Sequence, residues 1–292
     1  MPEMWFSERQ ADGLLLSLRV ERTLHVEKTP YQDLAVFETS HCGRVLTLDG
    51  IIQVTDADEF MYHEMLVHVP MLTHPHPERV LVVGGGDGGS SREILKHPSV
   101  VSLEVAELDE RVVEASKAFF PALSVGFSDP RVSITFTDGT KYVKGKESSY
   151  DVVIVDAPDP IGMARALFEK EFYSDLYRAL KPDGILCTQT ESPIINADVV
   201  SRVYGALSTL FPIVRLYLGS TPTYQSGLWC YTLASKRYDP LDPDRLADAR
   251  RRADASGLLV RYWTPEVHAA CFALPKFVKD LTEAHQGRYR SP

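Results

Sequence analysis

Acidic side chains recur directly after apolar segments in this 292-residue sequence. Asp87 lies in the glycine-rich stretch VLVVGGGDGG, and Glu107 closes the segment SLEVAE. Asp138 follows VSITFT, while Asp156 and Asp159 follow DVVIV. If these apolar segments are parallel strands, their carboxyl ends meet at one edge of a sheet, where ligands bind. Convergent carboxylates at that edge would suit the ammonium groups of a polyamine, which need charge-assisted partners.

The glycine-rich stretch predicts a second kind of ligand at the same edge. Glycines at 84–86 let the backbone approach a bound molecule closely. Glu107 follows them by about 20 residues, the spacing at which a carboxylate accepts the two ribose hydroxyls of an adenosine. Asp87 in the turn would repel a pyrophosphate. We therefore expect a nucleoside that lacks phosphate and is cationic near Asp87.

Sulfonium compounds of the S-adenosylmethionine type fit this description. S-adenosylmethionine itself carries a carboxylate, which Asp87 would repel, whereas its decarboxylated form presents only an ammonium group there. Asp87 would thus attract one ligand and disfavour its commoner relative.

The surrounding sequence predicts the elements that position these residues. From Arg79 onward, short apolar runs alternate with helical patterns, which is typical of a doubly wound α/β domain with a parallel sheet. The segments IVRLYLGS and LWCYTLASK are expected to form an antiparallel hairpin at the edge of that sheet, and ALFEKEFYSDLYRAL a single helix. A last helix is expected near residues 265–284. Residues 58–292 are assigned to this domain.

The first part of the chain has a different pattern. Residues 14–55 alternate and favour β formers, with turn signals such as Asp49-Gly50, which predicts an antiparallel meander. Residues 1–57 are assigned to this small β domain, and acidic residues near Asp58 introduce a linking helix.

Composition excludes several classes of protein. The formal charge of −9 argues against a nucleic-acid surface, which needs a basic stripe. The sequence has neither a secretion signal nor a long apolar run, so we expect a cytoplasmic protein with no membrane contact. The four cysteines are far apart, which argues against a disulfide or zinc framework, and no metal site is expected.

Several stretches together resemble the polyamine aminopropyltransferases, of which spermidine synthase is the commonest member. The resemblance runs from about Trp5 to about Val278. It includes the stretches YQD, LDGIIQ, DEFMYHEM, GGGDGG, DGTKYV, DAPDPIG, PTYQSG and HAACFALPKFV. The family implies a Rossmann-like, seven-stranded sheet of the methyltransferase type with a small N-terminal antiparallel β domain. It also implies a homodimer or a homotetramer.

The resemblance implies transfer of an aminopropyl group from decarboxylated S-adenosylmethionine to a primary amine. The expected acceptor is putrescine, which gives spermidine and releases 5′-methylthioadenosine, and no cofactor is implied besides this co-substrate. Asp156 matches the catalytic acid-base residue, and the hydroxyl of Tyr62 would assist it. The positions that match nucleoside contacts are Gln32, Asp87, Glu107, Asp138, Gly139 and Met163. Those that match amine contacts are Gln53, His63, Asp87, Asp156, Asp159 and Tyr224.

The segment DAPDPIGMAR departs from the family pattern D-S/T-S/T-D-P-x-G-P. Ala157 and Pro158 remove two hydroxyls, Met163 replaces a proline beside the adenine, and Arg165 replaces an acid. Arg165 would either alter acceptor preference or lie in solvent. Agmatine, cadaverine or a longer polyamine therefore stays open as the acceptor.

Two other functions remain open at this level. A methyltransferase that uses S-adenosylmethionine would share the glycine turn and the ribose acid, although Asp87 and the N-terminal meander oppose it. A non-enzymatic sensor of polyamines or nucleosides is the second alternative, which only the altered DAPDP segment favours.

Overall fold

Two β-sheets organise residues 3–283, the part of the chain that the computed structural model describes. The first sheet is antiparallel and contains five strands in sequence order. They are β1 (Met4–Ala11), β2 (Leu14–Lys28), β3 (Asp33–Thr39), β4 (Gly43–Leu48) and β5 (Ile51–Thr55). Strand β1 lies before the predicted meander. Its apolar alternation is weak because half of its side chains are exposed and the one buried side chain is that of Glu8.

The second sheet has seven strands in the order β11-β12-β10-β9-β6-β7-β8. They are β6 (Arg79–Gly84), β7 (Ser102–Glu107), β8 (Val132–Phe136), β9 (Tyr150–Asp156), β10 (Leu180–Gln189), β11 (Ile213–Ser220) and β12 (Leu228–Ser235). Strands β6 to β10 are parallel, whereas β12 is antiparallel to both β10 and β11. The predicted α/β fold is confirmed. Of the expected edge hairpin, only β11 lies at the edge.

Nine α-helices lie within the described residues. They are α1 (Glu59–Thr73), α2 (Gly89–Leu95), α3 (Glu110–Phe119), α4 (Gly139–Tyr142), α5 (Lys170–Ala179), α6 (Ala197–Ser208), α7 (Pro243–Ser256), α8 (Pro265–Ala270) and α9 (Lys276–Glu283). No helix among them is long and apolar enough to cross a membrane.

Two helix predictions were wrong in detail. The segment expected to form one helix at 166–180 begins within a 3-10 turn (Gly162–Phe168), and α5 starts only after Glu169, whose backbone is extended. The last helix is divided into α8 and α9 because Pro275 precedes Lys276 and proline cannot continue a helix. The predicted end at Ala284 lies outside the described residues.

Apolar packing joins the two sheets. All seven residues of β9 are buried, as expected for a central strand with helices on both faces. Leu34, Val36, Leu46 and Val54 of the first sheet pack against Val112, Ala115, Phe120 and Leu123, in and just after α3. This contact holds the first sheet over the carboxyl ends of β6 and β7.

Candidate active site

A cavity opens at the carboxyl ends of the central parallel strands, below the first sheet. It contains most of the side chains that the sequence singled out. Those that line it are Gln32, Gln53, Tyr62, Asp87, Glu107, Asp138, Gly139, Asp156, Asp159, Met163 and Tyr224. His63 does not line the cavity and lies behind it.

The glycine turn after β6 explains why the cavity has room at this edge. Gly84 pairs in register with Asp156 of β9, and its φ is +83°. A Cβ on Gly84 would lie 2.1 Å from the carbonyl oxygen of Asp156, and one on Gly86 would lie 2.9 Å from Oε2 of Glu107. A side chain at Gly84 would therefore collide with the backbone at the end of β9, and one at Gly86 would displace the side chain of Glu107.

Asp87 is fixed where the turn enters α2. Its Oδ1 accepts a hydrogen bond from the backbone N–H of Gly89 at 2.6 Å. Nε2 of His63 lies 3.4 Å from the same oxygen. Asp87 thus faces the cavity from a defined position, between β6 and the base of α2.

The nucleoside end of the cavity is built around Glu107. Its Oε1 accepts from the backbone N–H of Asp109 at 2.9 Å, and burial raises the pKa of its carboxyl to about 7. Asp109 in turn accepts from Nε2 of Gln32 at 3.0 Å and from Oγ1 of Thr29 at 2.7 Å. These bonds hold Gln32 beside Glu107.

Asp138, Gly139 and Met163 border the same end. Oδ1 of Asp138 caps α4 by accepting from the N–H of Thr140 at 2.8 Å. A Cβ on Gly139 would lie 2.3 Å from Cγ1 of Val83, so the backbone there lies flat against β6. Met163 is mostly exposed and lies at the rim.

Asp156 ends β9 as a buried carboxylate between two hydroxyl donors. Its Oδ1 accepts from the hydroxyl of Tyr62 at 2.8 Å, and its Oδ2 accepts from the hydroxyl of Ser90 at 2.6 Å. Burial raises the pKa of Asp156, the negative charge of Asp87 adds to the rise, and the positive charge of His63 opposes it. A carboxylate in this state is a stronger base than an exposed aspartate.

A further group of polar side chains extends the cavity away from Glu107. Oδ2 of Asp159 accepts from Nε2 of Gln225 at 3.0 Å, and burial raises the pKa of Asp159 to about 6. The ring of Tyr224 meets that of Tyr62 edge-on at 5.4 Å, and its hydroxyl donates to the carbonyl of Gln53. These contacts place Gln53, Tyr224 and Asp159 along one groove.

The sequence reasoning missed several polar residues at the site, including Gln225. Glu8 lines the cavity, and Ser90 bonds to Asp156. Glu191 lies behind Asp159. Nδ2 of Asn196 donates hydrogen bonds to both Glu191 and Gln225. Burial raises the pKa of Glu8 to about 7 and that of Glu191 to about 8, and the charge of Asp159 adds to both.

For Glu191 and Glu8, the sequence contains a pattern that could have identified them. Glu191 lies two residues beyond β10, so the rule that selected the other acids at strand ends applied to it as well. Glu8 shares one face of β1 with Phe6 and Gln10, an acid at an inward-facing position. Ser90 carried no signal, because its role depends on how α2 packs against β9.

His63 has carboxylates at both ring nitrogens. Nδ1 lies 2.8 Å from Oε2 of Glu59, and Nε2 faces Asp87. The position that the resemblance assigns to the amine is therefore separated from the cavity by Asp87.

Among the residues that the structure describes, two groups of side chains have ligand atoms close enough to hold a metal. In the first, ligand atoms of His63, Asp87 and Asp156 lie within 4.8 Å of one another. The carboxylates of this group already accept hydrogen bonds, Asp156 from Tyr62 and Ser90 and Asp87 from the backbone N–H of Gly89. The second group is His74, Asp151 and Asp183, where Nζ of Lys181 already bonds to Asp151 at 2.8 Å.

Comparison with known proteins identifies the family. Residues 59–242 match the spermine/spermidine synthase domain, and residues 4–56 match the spermidine synthase tetramerisation domain. The chain belongs to the spermine/spermidine synthase family. The family resemblance predicted from the motifs is therefore confirmed.

Individual relatives agree over nearly the whole chain. A polyamine aminopropyltransferase from Moorella thermoacetica is 50% identical over 284 residues, which cover 97% of this chain and 98% of the relative. The crystal structure of a spermidine synthase in complex with the transition state analogue AdoDATO superposes with a TM-score of 0.92. That structure is 40% identical, and the match covers 96% of this chain and 95% of the other. The spermidine synthase of Thermotoga maritima gives a TM-score of 0.88 at 40% identity, over 96% and 94% of the two chains. The chain is therefore an aminopropyltransferase.

The structure shows where the departures in the DAPDPIGMAR segment lie relative to the cavity. Ala157, Pro158 and Met163 line the cavity. The side chain of Arg165 is mostly exposed, and its Nε lies 3.9 Å from Oε1 of Glu169. Of the two alternatives left open for Arg165, its exposed position favours a solvent location.

Proposed function

We propose that this enzyme transfers the aminopropyl group of decarboxylated S-adenosylmethionine to putrescine, giving spermidine and 5′-methylthioadenosine. One observation carries the proposal: Asp87 and Asp156 line a single cavity together with Glu107 and Asp159. The carboxylates at the Glu107 end of the cavity suit a nucleoside cation, and those at the Asp159 end suit a diamine.

The donor would bind at the end of the cavity near Glu107. Glu107 would accept the ribose hydroxyls, and Gln32 lies beside it. Asp138, Gly139 and Met163 would border the adenine, while Asp87 would bind the ammonium of the aminopropyl group. The carboxylate of ordinary S-adenosylmethionine would meet Asp87 and be repelled.

The acceptor would lie in the groove that contains Tyr224, Gln53 and Asp159. Its reacting nitrogen would lie at Asp156, and its distal ammonium would lie near Asp159 and Glu8. Glu8 adds a negative charge from the first sheet, so both ends of a diamine would meet a carboxylate.

The chemistry is a displacement at the carbon attached to the sulfonium. An alkylamine has a pKa of about 10.4 and is mostly protonated near neutral pH, so it must first lose a proton. Asp156 would accept that proton, while Tyr62 and Ser90 hold its two oxygens in place. The amine nitrogen then forms a bond to carbon as the carbon–sulfur bond breaks, and the electron pair stays on the sulfur of neutral methylthioadenosine. The carboxylates of the cavity offset the electrostatic repulsion between the cationic donor and the cationic acceptor.

Assembly and location complete the proposal. Because residues 4–56 match a tetramerisation domain, we expect a homotetramer, with a homodimer as the alternative, and light scattering after gel filtration distinguishes them. A cytoplasmic location, and the use of no cofactor beyond the co-substrate, remain predictions.

An acceptor screen tests the proposal. The enzyme is incubated with decarboxylated S-adenosylmethionine and either putrescine, agmatine, cadaverine or spermidine, and products are measured by mass spectrometry. We expect methylthioadenosine and spermidine in equal amounts, with putrescine as the best acceptor. Faster aminopropylation of another amine would show that this amine, and not putrescine, is the preferred acceptor. Methyl transfer from S-adenosylmethionine, or no methylthioadenosine with any acceptor, would refute the proposal.

A further inference from the structure

Gln225 connects the acceptor groove to a network of hydrogen bonds behind it. It lines the cavity, and its Nε2 donates to Oδ2 of Asp159 at 3.0 Å. Among the described residues, Gln225 is the only one whose side chain donates to the carboxylate of Asp159. The other carboxylate oxygen, Oδ1, can therefore accept a hydrogen bond from a ligand in the groove.

Asn196 fixes the direction in which the carboxamide of Gln225 points. Nδ2 of Asn196 donates to Oε1 of Gln225 at 2.8 Å and to Oε2 of Glu191 at 2.7 Å. A carboxamide can present either its oxygen or its nitrogen to a neighbouring group. Because the oxygen of Gln225 is held by Asn196, its nitrogen faces Asp159, where the carboxylate needs a donor.

Asn196 contributes to this network and not to the helix that it precedes. It is the N-cap residue of α6, but its side chain makes no capping hydrogen bond. Asparagine is among the preferred N-cap residues because its side-chain oxygen usually accepts from an N–H of the first turn. The side chain of Asn196 is therefore oriented for its bonds to Glu191 and Gln225.

Glu191 anchors the other end of the network. Its φ is +74°, a left-handed value that residues other than glycine seldom adopt and that persists only where surrounding contacts impose it. Its Oε1 accepts from Nε2 of Gln189 at 3.0 Å, and the same Nε2 donates to the carbonyl of Ala157 at 3.0 Å. The network thus begins at the backbone of Ala157 and returns to the same segment at Asp159.

We propose that Gln225 is a positioning residue of the acceptor groove: held by Asn196, it binds Oδ2 of Asp159 and directs Oδ1 toward the distal ammonium of a diamine. This inference rests on the proposed function, in which that ammonium lies near Asp159 and Glu8. Gln225 orients the carboxylate without neutralising it, because a carboxamide carries no charge. The full negative charge of Asp159 stays available to the diamine.

The binding of two amines to Gln225→Met tests this role. Methionine is similar in length to glutamine but cannot donate to Asp159. Putrescine has a distal ammonium, whereas 1-aminobutane has the same carbon chain without one, so the ratio of their dissociation constants measures what the distal ammonium contributes. Calorimetry of enzyme saturated with methylthioadenosine should show that the wild type prefers putrescine at least about tenfold. Gln225→Met should weaken putrescine binding at least about fivefold and 1-aminobutane binding less than about twofold.

Asn196→Ala tests how Gln225 is held. The carboxamide of Gln225 is retained in this variant but loses the bond that orients it, so the preference for putrescine should fall by about twofold to threefold. The double variant should lose little more than Gln225→Met alone, because the two side chains act in one series of bonds. Additive losses would show that Asn196 does not act through Gln225 and would contradict the proposal.

Ser226→Ala is the matched control. Ser226 follows Gln225 in the same turn, and its hydroxyl shares a hydrogen bond of 2.7 Å with that of Ser192, in the segment that carries Asn196. Ser226 does not line the cavity. This variant removes one bond between the same two segments, so its preference for putrescine should stay within about twofold of the wild type. An equal loss of preference in Ser226→Ala and Gln225→Met would reduce the effect to a loosened turn and overturn the proposal.

Turnover separates this inference from the proposed function. Gln225→Met should have a raised KM for putrescine and a kcat within about threefold of the wild type. A lower kcat with unchanged putrescine binding, or an equal weakening of putrescine and 1-aminobutane, would overturn the role of Gln225. A wild type that binds putrescine with the expected preference but forms no methylthioadenosine would instead refute the proposed function, while the binding ratios of the variants would still decide the role of Gln225.

Discussion

The carboxylate of Asp156 illustrates how opposing effects set the properties of one residue. Burial and the nearby charge of Asp87 make it harder to ionise, whereas the hydroxyls of Tyr62 and Ser90 and the cation of His63 make it easier. The net result is a raised pKa. Asp156 is therefore a stronger base than an exposed aspartate, which helps it to accept a proton from an amine.

Asp156→Asn should separate chemistry from binding. The substituted amide side chain would keep the size of the original carboxylate but could not accept a proton, so kcat should fall by at least about a thousandfold. Calorimetry should show that decarboxylated S-adenosylmethionine binds within a fewfold of the wild-type affinity. An equal loss of turnover and donor binding would instead show that Asp156 is structural.

At this scale the sequence predicted more of the site than it missed. Asp87, Glu107, Asp138, Asp156 and Asp159 were found because parallel strands bring their carboxyl ends together, and the apolar runs marked those ends. Ser90 could not be recognised from the sequence, because serine is common at the start of helices. His63 was recognised, but its burial behind Asp87 depends on how α1 packs against α2.

The turn between β6 and α2 is the element on which the site depends. The backbone N–H of Gly85 donates to the carbonyl of Asp156 at 2.9 Å, which joins the turn to the end of β9. The same turn places Asp87 and starts α2, which carries Ser90 and Arg92. A change in its path would move several groups of the site at once.

Gly84→Ala should therefore be severely destabilising. The new Cβ would lie 2.1 Å from the carbonyl oxygen of Asp156, at a φ of +83° that other residues avoid. We expect a loss of more than about 2 kcal/mol in unfolding free energy, from strain and lost strand pairing together.

Gly50→Ala is the matched control for this substitution. Gly50 has a φ of +77°, but a Cβ there would meet nothing within 4 Å. Only the backbone strain of about 1 kcal/mol should appear in urea unfolding. Equal losses for the two variants would contradict the role given to the contact with Asp156.

Element boundaries show where sequence patterns lose information. Strands β6 to β10 were predictable because they are buried on both faces and read as continuous apolar runs. Strand β1 escaped notice because its inward face carries Glu8, whose carboxylate serves the cavity. The extended backbone at Glu169 and the stop at Pro275 reflect local breaks that helical periodicity does not record.

At the scale of the whole molecule, acidic side chains line the cavity, and no lysine or arginine of the described residues lines it with them. The pKa values of Glu8 and Glu107 rise to about 7 and that of Glu191 to about 8, mainly through burial, from a usual 4.5. Acids with raised folded pKa values stabilise the fold fully only below their unfolded pKa. That contribution is lost as the pH rises through about 7 to 8.

The unliganded enzyme should therefore melt at a lower temperature near pH 8.5 than near pH 5.5. A bound polyamine stays protonated over this range, since its amines have pKa values of about 10, and it should neutralise these carboxylates. The rise in melting temperature caused by spermidine should be larger at the higher pH. Sodium chloride at matched ionic strength serves as the control. An equal or smaller rise at high pH would show that the carboxylates do not bind the amine.

The central claim is that fixed negative charge at Asp87 selects a donor without a carboxylate. Calorimetry of decarboxylated and ordinary S-adenosylmethionine, with the wild type and with Asp87→Asn, tests it most directly. A repulsion of about 3 to 4 kcal/mol at close range would favour the decarboxylated donor at least about tenfold in the wild type. Asp87→Asn should reduce that preference to within about threefold. Equal binding of both compounds by the wild type, or a preference that survives the substitution, would contradict the account.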